Sequence, residues 1–173
     1  MRESFDRVLG GGAASELRVV YDVAHNIAKL EQFGNQTLCI HRKGATRAFG
    51  PSSPEISAAY RGIGQPIFIP GSMGTASFVL VGTDASQDIS LSSTCHGAGR
   101  ALSRTSAKKQ VAGHELRKQL ETRGIIVRCA SNAELAEEAP VAYKDVERVV
   151  DVVARAGIAK KVARLVPRGV LKG

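Results

Sequence analysis

The sequence predicts an α+β fold: mixed short β-strands with flanking helices. Two observations carry this. Through its first three quarters the chain offers short segments rich in apolar or β-branched residues, each bounded by Gly, Pro or Ser, the pattern of strands separated by turns. Towards the C-terminal end two stretches instead repeat apolar residues every three to four positions, as helices with one face to bury do. A length of 173 residues fits one core, because about 150 residues already bury most of the surface that one domain can.

The elements follow in order. Met-Arg-Glu-Ser-Phe-Asp-Arg-Val-Leu reads as the end of a short helix without the apolar block of a signal peptide, which points to a cytoplasmic location. Gly10-Gly11-Gly12-Ala13-Ala14-Ser15 reads as a flexible break. Leu17, Val19, Tyr21 and Val23 then alternate with Arg18, Val20 and Asp22, a period of two that predicts a strand. Further strands are expected at residues 37–42, 66–69, 77–81 and 125–129. Over residues 106–123, Ala112, Leu116 and Leu120 recur every four positions, with Ser106 placed to cap the start and Gly124 to end the helix. Over residues 145–156, Val146, Val149, Val150 and Val153 share a face, Asp145 is placed to cap and Gly157 to terminate. Internal repeats and heptads are absent from the sequence, which excludes solenoids and coiled coils.

Composition narrows the class. The chain is 43% hydrophobic and 23% charged, and no apolar run reaches the roughly 18 residues that cross a bilayer. Cys39, Cys95 and Cys129 are odd in number and far apart, which suits neither a disulfide framework nor a paired-cysteine metal knuckle; each reads as a small buried hydrophobe. The net charge of +8 favours polyanionic partners. Arg155, Lys160, Lys161, Arg164, Arg168 and Lys172 are unopposed by any acid nearby in sequence, and Arg42, Lys43, Arg47 and Arg61 meet only Glu55. By contrast, Glu134, Glu137, Glu138, Asp145, Glu147 and Asp151 form an acidic stretch.

Four segments hold residues with chemistry to offer. In Thr94-Cys95-His96-Gly97-Ala98-Gly99-Arg100 and on to Arg104, glycines let backbone approach a ligand beside two guanidinium groups, a setting suited to phosphate. His96 could be base, metal ligand or nucleophile. Neighbours on an extended segment face opposite ways, which argues against a Cys95–His96 dyad. Pro70-Gly71-Ser72-Met73-Gly74-Thr75-Ala76-Ser77 is either a donor-rich ligand turn or an ordinary β-turn. Asp22-Val23-Ala24-His25-Asn26-Ile27-Ala28-Lys29 carries His25, a metal donor or a structural histidine. His41-Arg42-Lys43-Gly44-Ala45-Thr46-Arg47 is a basic loop with cations for phosphate oxygens, or a solvated turn. His114 reads as structural, and no local ligand pair has the spacing of a zinc hydrolase.

In this order, together with the closing Val166-Pro167-Arg168-Gly169-Val170-Leu171-Lys172-Gly173, these segments resemble the C-terminal motifs of the RtcB family of RNA ligases, over nearly the whole chain. The resemblance implies that residues 1–173 are the C-terminal part of an RtcB-like ligase domain whose N-terminal half lies outside this sequence. It implies joining of 2′,3′-cyclic-phosphate or 3′-phosphate RNA ends to 5′-hydroxyl ends, driven by GTP and manganese, in tRNA splicing and RNA repair. His96 takes the place of the guanylylated nucleophile, and His25 that of a manganese-binding histidine. Asn26, Pro70, Gly71, Ser72, Met73, Ser77, Gly97, Ala98, Gly99, Tyr143 and Lys172 take the places of nucleotide contacts, Lys172 on a tail expected to order only with ligand. Arg42, Lys43, Arg47, Arg100 and Arg104 are the cations expected to hold RNA or nucleotide phosphates. The expected partners are RNA, GTP, the N-terminal half and an archease-type activator. That half supplies the family's other metal ligands, so the alternative is a catalytically incomplete fragment that only binds GTP or RNA.

Overall fold

The computed structural model describes residues 2–10, 12 and 16–172. Helix α1, Arg2–Leu9, buries none of its side chains. The break expected at residues 10–15 falls largely outside the described residues, which omit Gly11, Ala13, Ala14 and Ser15. The alternating segment at 17–23 does not become a strand. The carbonyl of Leu17 accepts from the Arg2 guanidinium, that of Val20 accepts from the Tyr60 hydroxyl, and the Tyr21 and Tyr60 rings meet edge to face at 5.4 Å. Alternation yields a strand only where another strand receives the backbone donors and acceptors; here side chains do so.

Strands β1 (Asn26–Phe33) and β2 (Gln36–Lys43) form an antiparallel hairpin. Gly34 turns it with φ 58°, a conformation that glycine adopts without strain. Its inner face carries buried Glu31 and Arg42, while Asn26, Ala28, Leu30, Cys39 and His41 face solvent. Strand β3 (Ala45–Arg47) runs antiparallel to β6 (Ser93–Cys95). Strands β4 (Pro66–Ile69), β5 (Ser77–Gly82) and β8 (Ala159–Leu165) make a three-stranded antiparallel sheet, and β7 (Ile126–Cys129) pairs in parallel with β9 (Gly169–Lys172).

The strands expected at 37–42, 66–69, 77–81 and 125–129 therefore form as β2, β4, β5 and β7. Strand β8, Ala-Lys-Lys-Val-Ala-Arg-Leu, carries little apolar signal and is mostly exposed. It is a strand because β5 offers an open edge, with a register shift at Val79/Leu80.

The helices are α2 (Ser86–Ser90), α3 (Arg104–Gln110), α4 (Gly113–Thr122), α5 (Asn132–Glu137) and α6 (Val146–Arg155). The single helix expected over 106–123 is two, α3 and α4, separated by extended Val111 and Ala112. Its cap is Ser103, whose Oγ accepts from Ser106 N at 3.1 Å. The break lets Gly113 press against Asn132 at the start of α5, where a Cβ would stand 1.8 Å from the Asn132 carbonyl oxygen. Helix α4 does end at Gly124, with φ 75°. Helix α6 matches expectation closely: Asp145 Oδ1 accepts from Glu147 N and Arg148 N at 2.9 and 3.4 Å, and Gly157 follows with φ 79°.

Among the described residues two apolar clusters result. Ile67, Ile69, Phe78 and Leu80 of the three-stranded sheet pack on Val146, Val150 and Val153 of α6. Leu116 and Leu120 of α4 pack with Val127, Leu135 and Ala139. The basic C-terminal run is not unopposed after all: β8 lies beside α6, so Lys161 pairs with Asp151 and Arg164 with Glu147 at 2.8 Å. No helix among the described residues is long and apolar enough to cross a membrane. Leu80, fully buried at the centre of the sheet, gives a direct measure of the first cluster. Leu80→Ala is expected to cost about 2–5 kcal/mol, read from the denaturant midpoint of unfolding.

Candidate active site

The pairing of β3 with β6 decides where the chemistry gathers. Ala45, Thr46 and Arg47 oppose Cys95, Thr94 and Ser93. Gly44, just ahead of β3, donates its N–H to His25 O at 2.8 Å and accepts through its carbonyl from His96 N at 3.4 Å. Residues 71 positions apart in the chain are thus held on either side of one glycine, and their imidazoles stack with centroids 3.9 Å apart and planes 10° from parallel. Burial and the neighbouring His25 ring both depress the His96 pKa. Both effects disfavour the imidazolium, so His96 keeps a free lone pair at a pH where an ordinary histidine is protonated. Cys95 turns the other way, packs against the first apolar cluster and has its thiol pKa pushed up by burial. The strand geometry thus separates the two neighbours as their alternation implies.

His96 opens onto a cavity of about 440 Å3, within the range of roughly 300–1,000 Å3 of small-molecule sites. Its floor is the 70–73 turn and the 97–99 loop, and its walls are Arg100, Glu138, Tyr143 and residues 170–172. Ala98 belongs to the first apolar cluster, while Met73 and Val170 pack on the second. The cavity is therefore the seam between the two cores. The 70–77 turn is braced from within: Gly71 N donates to Ser77 Oγ at 3.1 Å, and Ser72 N to Thr75 Oγ1 at 2.7 Å. At Gly71 a Cβ would stand 1.9 Å from the Ala76 carbonyl oxygen, so no larger residue fits this turn. A larger cavity of about 670 Å3 lies between α4 and residues 139–141, but its lining is mostly apolar and contains no histidine.

The far wall is a charged relay. Arg100 donates Nη1 to the Tyr143 hydroxyl at 3.0 Å and Nη2 to the Glu137 carbonyl at 2.7 Å, with its guanidinium 4.9 Å from the Tyr143 ring centre. Tyr143 in turn donates its hydroxyl to Glu138, which also faces Arg100 at 3.4 Å and Arg104 at 3.5 Å. Burial works against the Glu138 carboxylate. The Tyr143 hydroxyl, Lys172, Arg100 and Arg104 outweigh it and hold the pKa below the usual carboxylate range. Tyr143 moves the opposite way, raised by burial and by Glu138.

With this geometry in view, comparison with known proteins is unambiguous. A family model described as "tRNA-splicing ligase RtcB" matches residues 1–173. The chain belongs to the RtcB family. A tRNA-splicing ligase RtcB of Archaeoglobus fulgidus is 53% identical over 178 residues, covering 100% of this chain and 37% of that protein. The protein of the same name from Thermococcus kodakarensis is 54% identical over 178 residues, with the same two coverages. For the Pyrococcus furiosus protein of that name the figures are 53% over 179 residues, 100% and 18%. The chain thus spans well under half the length of these RtcB relatives.

The sequence-derived positions separate into those the fold gathers and those it does not. Pro70, Gly71, Ser72, Met73, Gly97, Ala98, Gly99, Tyr143 and Lys172 all line the cavity with His96. Asn26 does not line it; it starts β1 opposite Lys43. Ser77 stands behind the 70–73 turn as its acceptor. Strand β9 pairs Lys172 with Cys129, which sets it at the cavity.

Among the five cations expected to hold phosphate, Arg42 requires a correction. It is 3% exposed and its guanidinium is spent on Glu31, Ser93 and Leu91. A buried guanidinium with its donors committed has none to offer a phosphate. Lys43 and Arg104 are exposed, Arg47 lies over the Phe49 ring at 5.6 Å, and Arg100 is held in the relay. Sequence reading missed Gly44 and Glu138. Glu138 sits in an acidic run that looks like a solvated helix end, and only its five-residue spacing from Tyr143 hinted at a shared site.

The stacked pair yields a metal-free test. In the protein without added metal, the His96 ring should titrate below the ordinary histidine value near 6.5 by NMR, and His25→Ala should move it up. The unfolded chain binds the His96 proton more readily than the native one. Stability therefore falls as pH drops below 6.5 through the lower native pKa. Titration of His96 at or above 6.5 would contradict the stacked geometry.

Proposed function

We propose that this chain is the nucleotide-binding, nucleophile-bearing part of an RNA ligase that uses GTP to join 3′-phosphate or 2′,3′-cyclic-phosphate RNA ends to 5′-hydroxyl ends. The observation that carries the reading is the placement of His96, its pKa lowered by burial and by His25, at the mouth of a cavity walled by the 70–73 and 97–99 backbone and by Tyr143 and Lys172. A neutral imidazole is a nucleophile at physiological pH. Its attack on the α-phosphorus of GTP would release pyrophosphate and leave GMP on His96, from which GMP passes to an RNA 3′-phosphate, a cyclic phosphate being first opened by water, and attack of the 5′-hydroxyl then expels GMP. Lys172 gives this wall a cationic group to set against phosphate or nucleobase oxygens, and Arg100, held in the relay, adds its positive charge.

Manganese enters the proposal with a restriction. Among the described residues no three histidine, cysteine, aspartate or glutamate side chains come together as a metal shell, and manganese prefers several oxygen or nitrogen donors. This chain offers His25; the remaining ligands would come from the part of the longer relatives that lies beyond the matched region. When bound, such an ion would neutralise charge on the phosphates. The same observation favours, for this chain in isolation, the second reading: binding of GTP or RNA without ligation.

Intact-mass measurement after incubation with GTP and manganese, with and without the upstream half of a relative, tests the proposal. A GMP adduct that is acid-labile and alkali-stable is expected when both parts are present, and none in His96→Ala. Persistence of the adduct in that variant would remove His96 from the role. Ligation should likewise need both parts, so robust turnover by this chain alone would refute the account of the metal ligands. RNA affinity of the assembled protein should fall with salt, with a slope of roughly −0.7 for each phosphate neutralised on a single strand.

A further inference from the structure

We propose that Arg42 and Glu31 are positioning residues for the reaction centre: their buried pair fixes the hairpin that delivers His25 against the turn that delivers His96. This rests on the reading of His96 as the nucleophile, and it gives a role to the one expected phosphate-binding cation that the fold hides.

The geometry is explicit. Arg42 Nη1 and Nη2 donate to the two oxygens of Glu31, each at 2.7 Å, and both side chains are 1% exposed. The planar fork has further donors, and all those described point at one segment: Nε to Ser93 Oγ at 2.9 Å and Nη2 to Leu91 O at 3.1 Å. Arg42 faces Ile27 across the hairpin, one register step from the Asn26–Lys43 pair at the end where His25 leaves it. Ser93 begins β6, three residues before His96. One guanidinium therefore ties the hairpin that His25 leads into to the strand that His96 follows.

The turn it grips needs gripping. Leu91 and Ser92 both have positive φ, 50° and 49°, a region that L-residues other than asparagine and aspartate rarely adopt. Such backbone persists only where its surroundings over-determine it. Ser92 N also donates to Ser86 O at 2.9 Å, and Ala48 N to Ser92 O at 2.7 Å. A buried ion pair is itself a weak source of stability, because desolvation offsets its attraction. Its distinct contribution here is register. Lysine would keep the charge opposite Glu31, yet a single ammonium on a flexible stem lacks the planar fork that spans Glu31 and the turn together.

The test compares the wild type with the double variant Glu31→Leu/Arg42→Met, which fills the site without charge, and with Arg42→Lys. Proton–carbon NMR of the protein without metal reports the stacking through the upfield ring-current displacement of the His25 and His96 ring protons, while the methyls of Leu80 and Val150 report the fold. Both variants are expected to keep the methyl pattern and to lose at least half of that displacement, by order of magnitude, since alignment of reacting groups depends on sub-ångström support. In the protein assembled with its upstream half, formation of the GMP adduct should slow roughly a hundredfold with the KM for GTP unchanged. Retention of the ring displacement in a folded variant, or adduct formation at the wild-type rate, would overturn the proposal. If the double variant unfolds, Arg42→Lys alone decides. Loss of the displacement in both variants, with no adduct even in the wild type, would support the positioning of the rings and overturn the role of His96.

Discussion

Everything functional in this molecule depends on the short ladder between β3 and β6. Three residue pairs, Ala45–Cys95, Thr46–Thr94 and Arg47–Ser93, bring the end of the hairpin to the loop after β6. Without that pairing His25 and His96 would be two unrelated histidines. With it they share Gly44 as a backbone partner and lie face to face. The consequence is electronic as well as geometric, because burial and a second imidazole lower the His96 pKa and so favour its neutral form.

The cavity beside His96 follows from where the two apolar clusters fail to merge. Ala98 closes one core and Met73 and Val170 lean on the other, so the loop between β4 and β5 and the loop after β6 meet over a gap. Gly71 and the braced Ser72–Thr75 turn keep one side thin. The parallel pairing of β7 with β9 brings the end of the chain to the other side. A ligand entering this seam would touch both cores, a common situation for small-molecule sites between packed elements.

Charge is distributed by the same logic. Along the sequence acids and bases lie in separate blocks, which suggests one acidic and one basic face. In the fold the blocks interleave: Lys108 pairs with Glu137 at 2.6 Å, Arg100 and Arg104 approach Glu138, and Arg164 pairs with Glu147. Of the cations lining the cavity, Arg100 is held by Glu138, which fixes its direction. Partly exposed pairs of this kind add little stability.

Local signals in the sequence determined a good part of this. Helix α6 was legible to the residue because its valine face, its Asp145 cap and its terminal glycine act within a few positions. Strands β2, β4, β5 and β7 were legible from apolar runs between turn residues, while the cavity-lining residues Pro70 to Met73, Gly97 to Gly99, Tyr143 and Lys172 were picked out by the resemblance to the RtcB family. What tertiary structure alone decided has one physical reason, namely that the partner is remote in sequence. Residues 17–23 alternate yet find side chains instead of a strand, whereas β8, with hardly any apolar pattern, becomes a strand at the edge of β5. The single helix implied at 106–123 breaks because Gly113 must meet Asn132. Arg42 looks like a surface cation in its basic run, and only the fold, by closing Glu31 and the Leu91–Ser93 turn around it, makes it a buried strut.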